Sequence, residues 1–127
     1  MRMNIIERTI NDVTVLDIEG NLALNENARF RKHVAGAIDA GVHKLIVNMA
    51  RVKYMDSSGL GELISCYTAL QRLNGHVKLL HLNNRLQYLL AITNLDSVFE
   101  TFDSEPAAVS SFAPCAERIE ETAHRSM

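Results

Sequence analysis

Two adjacent hydroxyl groups are the chemically most informative feature of this chain. Residues 54–74 read YMDSSGLGELISCYTALQRLN, in which an acid and two serines precede two glycines: Asp56, Ser57, Ser58, Gly59 and Gly61. Apolar residues then recur at helical spacing and form a predicted buried stripe, at Leu60, Leu63, Ile64, Tyr67, Leu70 and Leu73. This places the acid and the serines at the N-terminus of an amphipathic helix. A helix N-terminus has unpaired N–H groups and a partial positive charge, so a phosphate is stabilised there.

The same residues also admit a purely structural interpretation. Serine and aspartate are common N-caps, and one of the three polar residues is expected to cap this helix. The two glycines favour a partner interface, because we expect them to leave the surface around the serines bare. Gly75 is expected to end the helix in a left-handed conformation. Spacing alone does not separate a cap from a modification site.

Composition narrows the class of protein. The chain has 127 residues, 47% of them hydrophobic and 22% charged, which is typical of one globular domain. Its net charge is −2, with acids and bases mixed along the sequence, and this argues against nucleic acid as a ligand. No apolar run approaches the roughly 18 residues of a membrane span, and no signal peptide is recognisable at the start.

Cysteine and histidine usage points away from disulfides and metals. Cys66 and Cys115 lie far apart in the sequence, so no disulfide framework is indicated and a cytoplasmic protein is expected. Cys66 lies beside the apolar face of the helix and is predicted to be a small core residue. The five histidines show no pair at metal-ligand spacing, and we predict no metal site.

Hydrophobic patterning predicts alternating strands and helices. Strands are predicted at residues 3–10, 13–19, 43–49, 76–82 and 98–102. Asn11 and Asp12 predict a tight hairpin between the first two strands, and Gly20 is expected to end the second. The later strands alternate with helices, which predicts a largely parallel sheet. Residues 50–55 are expected to form a connection that places the serines beyond the carboxyl end of a strand.

Helix boundaries are predicted from caps. Asn25 is expected to cap the first helix and Gly41 to end it, and Asn83 or Asn84 to cap the third. The start of a last helix is predicted at Ser104, Glu105 and Pro106, with the proline in the first turn. Residues 107–112 are predicted to be helical, and Pro114 should break or kink the helix. We assign residues 1–113 to one domain and residues 114–127 to a polar tail or frayed helix.

These motifs resemble those of STAS domains, and among them the anti-sigma factor antagonists of bacterial sporulation and stress regulation. The resemblance covers about residues 4–112 and rests on LDIEGNL at 16–22, LIVN at 45–48 and YMDSSGLG at 54–61. It implies an α/β fold with a mixed, largely parallel sheet of about five strands, an N-terminal hairpin and about four helices.

The resemblance also implies a phosphorylation switch. Ser57 is the implied acceptor, with Ser58 a cap or a lesser site, and the kinase is itself the anti-sigma factor, an ATPase of the histidine-kinase-like type. The unphosphorylated protein binds this serine kinase and frees the sigma factor, and a serine phosphatase restores that form. ATP and magnesium belong to the kinase, so the chain itself needs no cofactor. A monomer is expected.

The implied partner-binding residues lie in two segments. They are Asn21, Ala23, Asp56, Ser57, Ser58, Gly59, Leu60 and Gly61. Family members that bind such kinases usually have an acid where this chain has Ala23. Asp56 either caps the helix or orients Ser57 and helps to hold the magnesium of the kinase.

Two other functions are consistent with parts of the sequence. A STAS adaptor subunit of a lipid transporter or of a signalling scaffold would keep the fold without using the serine as a switch. An enzyme with Ser57 or Ser58 as nucleophile would need a base and an oxyanion hole. The sequence DSSGLG differs from the GxSxG elbow, and His81 has no evident catalytic role, so we assign no catalytic residue.

Overall fold

A hairpin forms one edge of the sheet. The computed structural model describes residues 3–23 and 26–112, and in it β1 (Asn4–Ile10) pairs antiparallel with β2 (Val13–Leu22). Asn11 and Asp12 join them with φ angles of 50° and 67°. Positive φ at both central residues is the geometry of the tightest hairpin turns, so the predicted hairpin is confirmed.

Helices and strands alternate after the hairpin. In chain order they are α1 (Asn27–Asp39), β3 (Lys44–Met55), α2 (Ser57–Arg72), β4 (His76–Leu80), α3 (Asn84–Ile92), a 3₁₀ turn (Leu95–Ser97), β5 (Thr101–Phe102) and α4 (Glu105–Ser110). The strand order is β1-β2-β3-β4-β5, and every pair from β2 onward is parallel. The predicted mixed sheet is confirmed, with β3 at its centre.

The two faces of the sheet bury cores of different size. Helices α1, α2 and α3 contribute to the larger core, and α4 contributes Ala108 to a smaller core that also contains Val13, Val15, Ile46 and Leu80. Ile46 and its neighbour Val47 are fully buried in different cores. This two-sided burial explains why β3 has consecutive apolar residues.

The carboxyl ends of β2 and β3 lie later in the sequence than predicted. β2 continues to Leu22, and β3 continues to Met55, so the predicted connection at residues 50–55 is wrong. The extension of one strand supports that of the other, because β2 pairs with β3 as far as Leu22 and Met55. Gly20 lies within β2 at φ 125°, near irregularities in the register, and does not end the strand.

The last predicted strand is shorter than expected. Residues 98–102 reduce to the two-residue β5, because the 3₁₀ turn comes directly before them and Phe99 packs into the larger core. α4 starts at Glu105, with Ser104 as its N-cap and Pro106 in its first turn, which confirms the predicted helix start, and it ends at Ser110 rather than at Phe112. Pro114, Cys115 and the predicted tail lie outside the described residues.

Most of the predicted helix ends are confirmed. Gly41 follows α1 at φ 95°, and Asn83 caps α3 by accepting a hydrogen bond from the Leu86 N–H at 2.8 Å. The described part of α1 starts after Glu26, which occupies the N-cap position, and Asn25 lies outside the described residues. Gly75 is not the left-handed residue after α2, because Asn74 takes that role at φ 61°.

Gly75 is instead required by close packing. Its N–H donates to the Leu70 carbonyl at 2.7 Å, which completes the helix end that Asn74 begins. A Cβ at position 75 would lie 2.6 Å from the His43 carbonyl oxygen. Glycine is therefore needed here for space rather than for positive φ.

The buried face of α2 is rotated from the predicted stripe. Leu60, Leu63 and Leu70 are buried as expected, whereas Ile64 and Leu73 are 40% and 45% exposed. Cys66 is buried, which confirms it as a core residue, and burial raises the pKa of its thiol to about 12. The rotation arises because α1 packs beside α2 and covers the Cys66 side of the helix.

An ion-pair network attaches α4 to the sheet. Arg8 donates to both oxygens of Asp17 at 2.5 and 2.9 Å and to both oxygens of Glu105 at 3.1 and 2.7 Å. Burial by itself would raise the pKa of Asp17, but hydrogen bonds from Arg8 and Asn48 and the charges of Arg8 and Arg51 outweigh it and lower that pKa. The hydrogen bond from Arg8 is the main cause of the lowered pKa of Glu105.

The N-terminal turn of α2 packs against the end of β2. The Asp56 N–H donates to the Leu22 carbonyl oxygen at 3.3 Å. A Cβ at Gly59 would lie 2.1 Å from that same oxygen and 2.8 Å from Met55 Cγ. Gly61, in contrast, is exposed and has no such neighbour within 4 Å. Only Gly61 therefore leaves surface bare, and the expectation for Gly59 is wrong.

We expect Arg8→Gln to lose about 1 kcal/mol of unfolding free energy at pH 7, since partly exposed ion pairs contribute modestly. Both carboxylates have folded pKa values below their ordinary 3.8 and 4.5. Their contribution is therefore complete above those ordinary values and disappears as the pH falls through the folded ones. Urea unfolding should show the deficit of the variant at pH 7 and a smaller deficit at pH 3.

Lys44→Gln serves as the control for this network, because Lys44 makes a single ion pair with the exposed Asp12. It should change the free energy of unfolding by about 0.5 kcal/mol or less. An Arg8→Gln deficit of the same size at both pH values would contradict the assignment to the carboxylates.

Gly59→Ala and Gly61→Ala are expected to act in opposite directions. The first should lower the free energy of unfolding by about 2 kcal/mol or more, since its methyl group overlaps backbone that cannot easily move. The second should raise it by about 0.5–1 kcal/mol, since alanine is the better helix former in open space. Urea unfolding of both variants measures this difference, and similar values for the two would show that the Leu22 contact does not constrain position 59.

Candidate functional site

The candidate site is the first turn of α2, which begins directly after β3. Asp56 is the single residue between the two elements, with extended backbone angles, and its Oδ1 accepts a hydrogen bond from the Gly59 N–H at 3.0 Å. The predicted cap is therefore confirmed, and it is the aspartate rather than either serine.

The two serines of the motif have different surroundings. Ser57 is exposed, and its hydroxyl has no hydrogen bond within residues 3–23 and 26–112. Ser58 is half-buried, and its hydroxyl donates to Asp56 Oδ1 and accepts from Asn27 Nδ2 at 2.7 Å. The adjacent hydroxyls thus differ sharply in their freedom to meet another molecule.

Asn27 is a site residue that the sequence reasoning missed. It is the first residue of α1 and is only 3% exposed. Its Oδ1 has no hydrogen-bond partner in the part of the chain that the structure covers. An asparagine at a helix start is ordinarily interpreted as a local cap, and no spacing rule connects it with a serine 31 positions later.

The predicted partner-binding residues divide into a surface layer and a supporting layer. Asn21, Ser57 and Gly61 are exposed, whereas Gly59 and Leu60 are buried beneath them. The other three are half-buried: Ala23, Asp56 and Ser58. The pairing of β2 with the end of β3 places the two segments side by side at the start of α2.

The electrostatics of this surface suit an anion at its centre. The first turn of α2 has the partial positive charge of a helix N-terminus. The carboxylate of Asp56 offsets part of this positive charge. The carboxylate of Glu62 forms an ion pair with Arg31 of α1. An exposed hydroxyl at this point can accept a phosphoryl group without burying the added charge.

The structure provides little for a serine nucleophile or a metal. Within the described ranges, neither serine hydroxyl contacts a histidine. His81 follows β4, and its backbone N–H donates to the Phe102 carbonyl oxygen of β5 at 2.8 Å. Among the residues with described positions, no three His, Cys, Asp or Glu side chains could hold a metal ion, and no helix is long and apolar enough to cross a membrane.

Relatives of similar sequence include anti-sigma-B factor antagonists. The STAS domain family matches residues 4–108. The anti-sigma-B factor antagonist of Staphylococcus epidermidis is 30% identical over 95 residues, which is 75% of this chain and 88% of that protein.

Solved structures show the same fold at lower identity. An anti-sigma factor antagonist from Mycobacterium paratuberculosis has a TM-score of 0.79 at 15% identity, covering 86% of this chain and 92% of that one. The Bacillus cell-fate determinant SpoIIAA in its phosphorylated form has a TM-score of 0.70 at 20% identity, covering 87% of this chain and 100% of that one. The chain therefore belongs to the STAS domain family, and it is similar in sequence to anti-sigma factor antagonists.

Proposed function

We propose that this chain is an anti-sigma factor antagonist whose binding is switched off by a phosphate on Ser57. The observation that carries the proposal is the Ser57 hydroxyl at the start of α2, which is exposed and makes no hydrogen bond to any described residue. This hydroxyl lies where the start of α2 packs against the end of β2. The relatives support the antagonist role, and the exposure of Ser57 supports the switch.

The fold can carry the phosphate on Ser57 with little cost. A phosphoserine adds about −1.5 to −2 charges and a strongly hydrated group. At Ser57 that group lies in solvent next to the positive end of the α2 dipole, which favours it. The backbone of the turn is fixed by Asp56 and by the Leu22 carbonyl, and neither bond uses the Ser57 side chain.

A protein interface over the same turn would not tolerate the phosphate. Forming the interface would remove water from the phosphate and would enclose the phosphate with Asp56 and any acidic groups of the partner. A penalty of about 3–4 kcal/mol weakens binding a few hundredfold. The phosphate therefore acts on association while the free protein keeps its structure.

The partner in this proposal is an anti-sigma factor that is also a serine kinase of the histidine-kinase-like ATPase type. It supplies ATP and magnesium, and a serine phosphatase removes the phosphate from Ser57. The chain is then a regulatory binding protein rather than an enzyme. It acts in the cytoplasm, where sigma factors meet RNA polymerase.

The test begins with the protein purified from its own organism, by intact mass with and without phosphatase and by mapping of the modified residue. We expect a single phosphate, on Ser57. The affinity of the kinase that adds it is then measured by calorimetry. Relative to wild type, Ser57→Asp should weaken binding by at least about tenfold, and the phosphorylated protein should weaken it by a few hundredfold.

Thr68→Asp is the matched control, since it adds the same charge to an exposed position of α2 far from the first turn. It should bind the kinase as wild type does, and so should Ser57→Ala. If all forms bind equally, or if the protein is never modified even with candidate kinases and ATP, the switch is refuted. The non-switching adaptor of a transporter or scaffold then becomes the better assignment.

A further inference from the structure

We infer that Asn27 determines which of the two adjacent serines can carry a phosphate. The inference rests on the proposed function in that a phosphate is the modification considered. Asn27 and Asp56 hold the Ser58 hydroxyl in a hydrogen-bond chain, and this leaves Ser57 as the acceptor.

The direction of each hydrogen bond in this chain follows from the groups involved. The carboxylate of Asp56 is only an acceptor when ionised, so the Ser58 hydroxyl must donate its one proton to it. The Ser58 oxygen can then only accept from Asn27, which fixes the Nδ2 group of the amide toward it at 2.7 Å. Both the proton and one lone pair of Ser58 are engaged.

The unsatisfied oxygen of Asn27 supports this assignment. In the described structure, Oδ1 of this 3% exposed residue has no hydrogen-bond partner, which is normally unfavourable for a buried amide. Turning the amide over would bring Oδ1 to a Ser58 oxygen that has no proton left to give. The Nδ2 contact with Ser58 is therefore the hydrogen bond that fixes the orientation of the amide.

A phosphoryl group on Ser58 would meet obstacles that are absent at Ser57. It would be attached to the oxygen that now contacts both Asp56 and Asn27. There it would lie beside the Asp56 carboxylate and would have to displace an amide held by the first turn of α1. Like charges in a partly buried site repel strongly. The Ser57 hydroxyl makes no hydrogen bond to either residue in the described structure.

Asn27 is therefore a positioning residue that acts through Ser58. A kinase bound to this surface would meet the Ser57 hydroxyl, whose proton and lone pairs make no hydrogen bond to the described residues. The Asn27→Ala variant replaces the whole side chain by a methyl group, which leaves Asp56 in place and opens space beside Ser58. It therefore separates the contribution of Asn27 from that of the carboxylate.

The experiment installs the modification directly, without a kinase. Phosphoserine is encoded at position 57 or position 58 of the full chain, in the wild-type and Asn27→Ala backgrounds. Urea unfolding of each form is compared with unmodified protein of the same sequence. In the wild-type background, phosphoserine at 57 should change the folding equilibrium constant by less than about threefold, and at 58 should lower it by about a hundredfold or more.

In Asn27→Ala, the loss caused by phosphoserine at 58 should shrink to about tenfold or less. Asn27→Ser replaces Asn27→Ala if the latter does not fold when unmodified. Equal effects at 57 and 58 in the wild-type background would overturn the inference. An undiminished loss at 58 without the amide would also overturn it, by assigning the restriction to Asp56 alone.

No partner protein enters this measurement, so it can succeed even if the chain binds no anti-sigma factor. Conversely, a confirmed switch at Ser57 in the binding experiment would stand even if Asn27 proved irrelevant. The two failures are therefore distinguishable.

Discussion

The carbonyl oxygen of Leu22 is the contact on which the architecture of the site depends. It lies at the end of β2, accepts the Asp56 N–H, and is approached so closely by Gly59 that no side chain fits between them. Leu22 itself is fully buried and pairs with Met55. One backbone oxygen therefore brings together the end of β2, the end of β3 and the start of α2, which no short-range interaction could do.

Hydrogen bonds hold the backbone of the first turn of α2, whereas the Ser57 side chain on that turn is exposed. The backbone of the first turn is held by Leu22 and by the Asp56 cap, and Ser58 is held by Asn27 of α1. The side chain of Ser57 takes no part in these bonds. A group added to Ser57 changes what the surface presents to a partner, and the supporting hydrogen bonds remain. Such a separation of support from surface is what a reversible chemical switch requires.

Much of the fold could be predicted because its signals are local. The Asn11-Asp12 turn, the Asp56 and Asn83 caps and the apolar run of β3 each depend on residues close in sequence, and each prediction was confirmed. The extension of β3 to Met55 could not be predicted, because it depends on pairing with a distant strand.

The same limit applies to the details of the site. Gly59 was interpreted as surface because its neighbour Leu22 lies 37 positions earlier in the sequence. The bond from Asn27 to Ser58 also joins distant positions, and an asparagine at a helix start gives no sign of such a contact. The serine motif was thus recognisable from its own residues, whereas the difference between its two serines appears only when α1 is packed beside α2.

The opposite face of the sheet is closed by a separate set of polar contacts. Arg8 holds the start of α4 through Glu105, and the buried ammonium of Lys78 holds its end through the Ser111 hydroxyl at 2.8 Å and the Phe112 ring at 4.3 Å. These contacts share no residue with the first turn of α2. Because each face has its own anchors, a partner can cover the serine surface without competing for the interactions that keep α4 on the sheet. In the proposed switch, the small core under α4 would stabilise the same sheet with or without the phosphate.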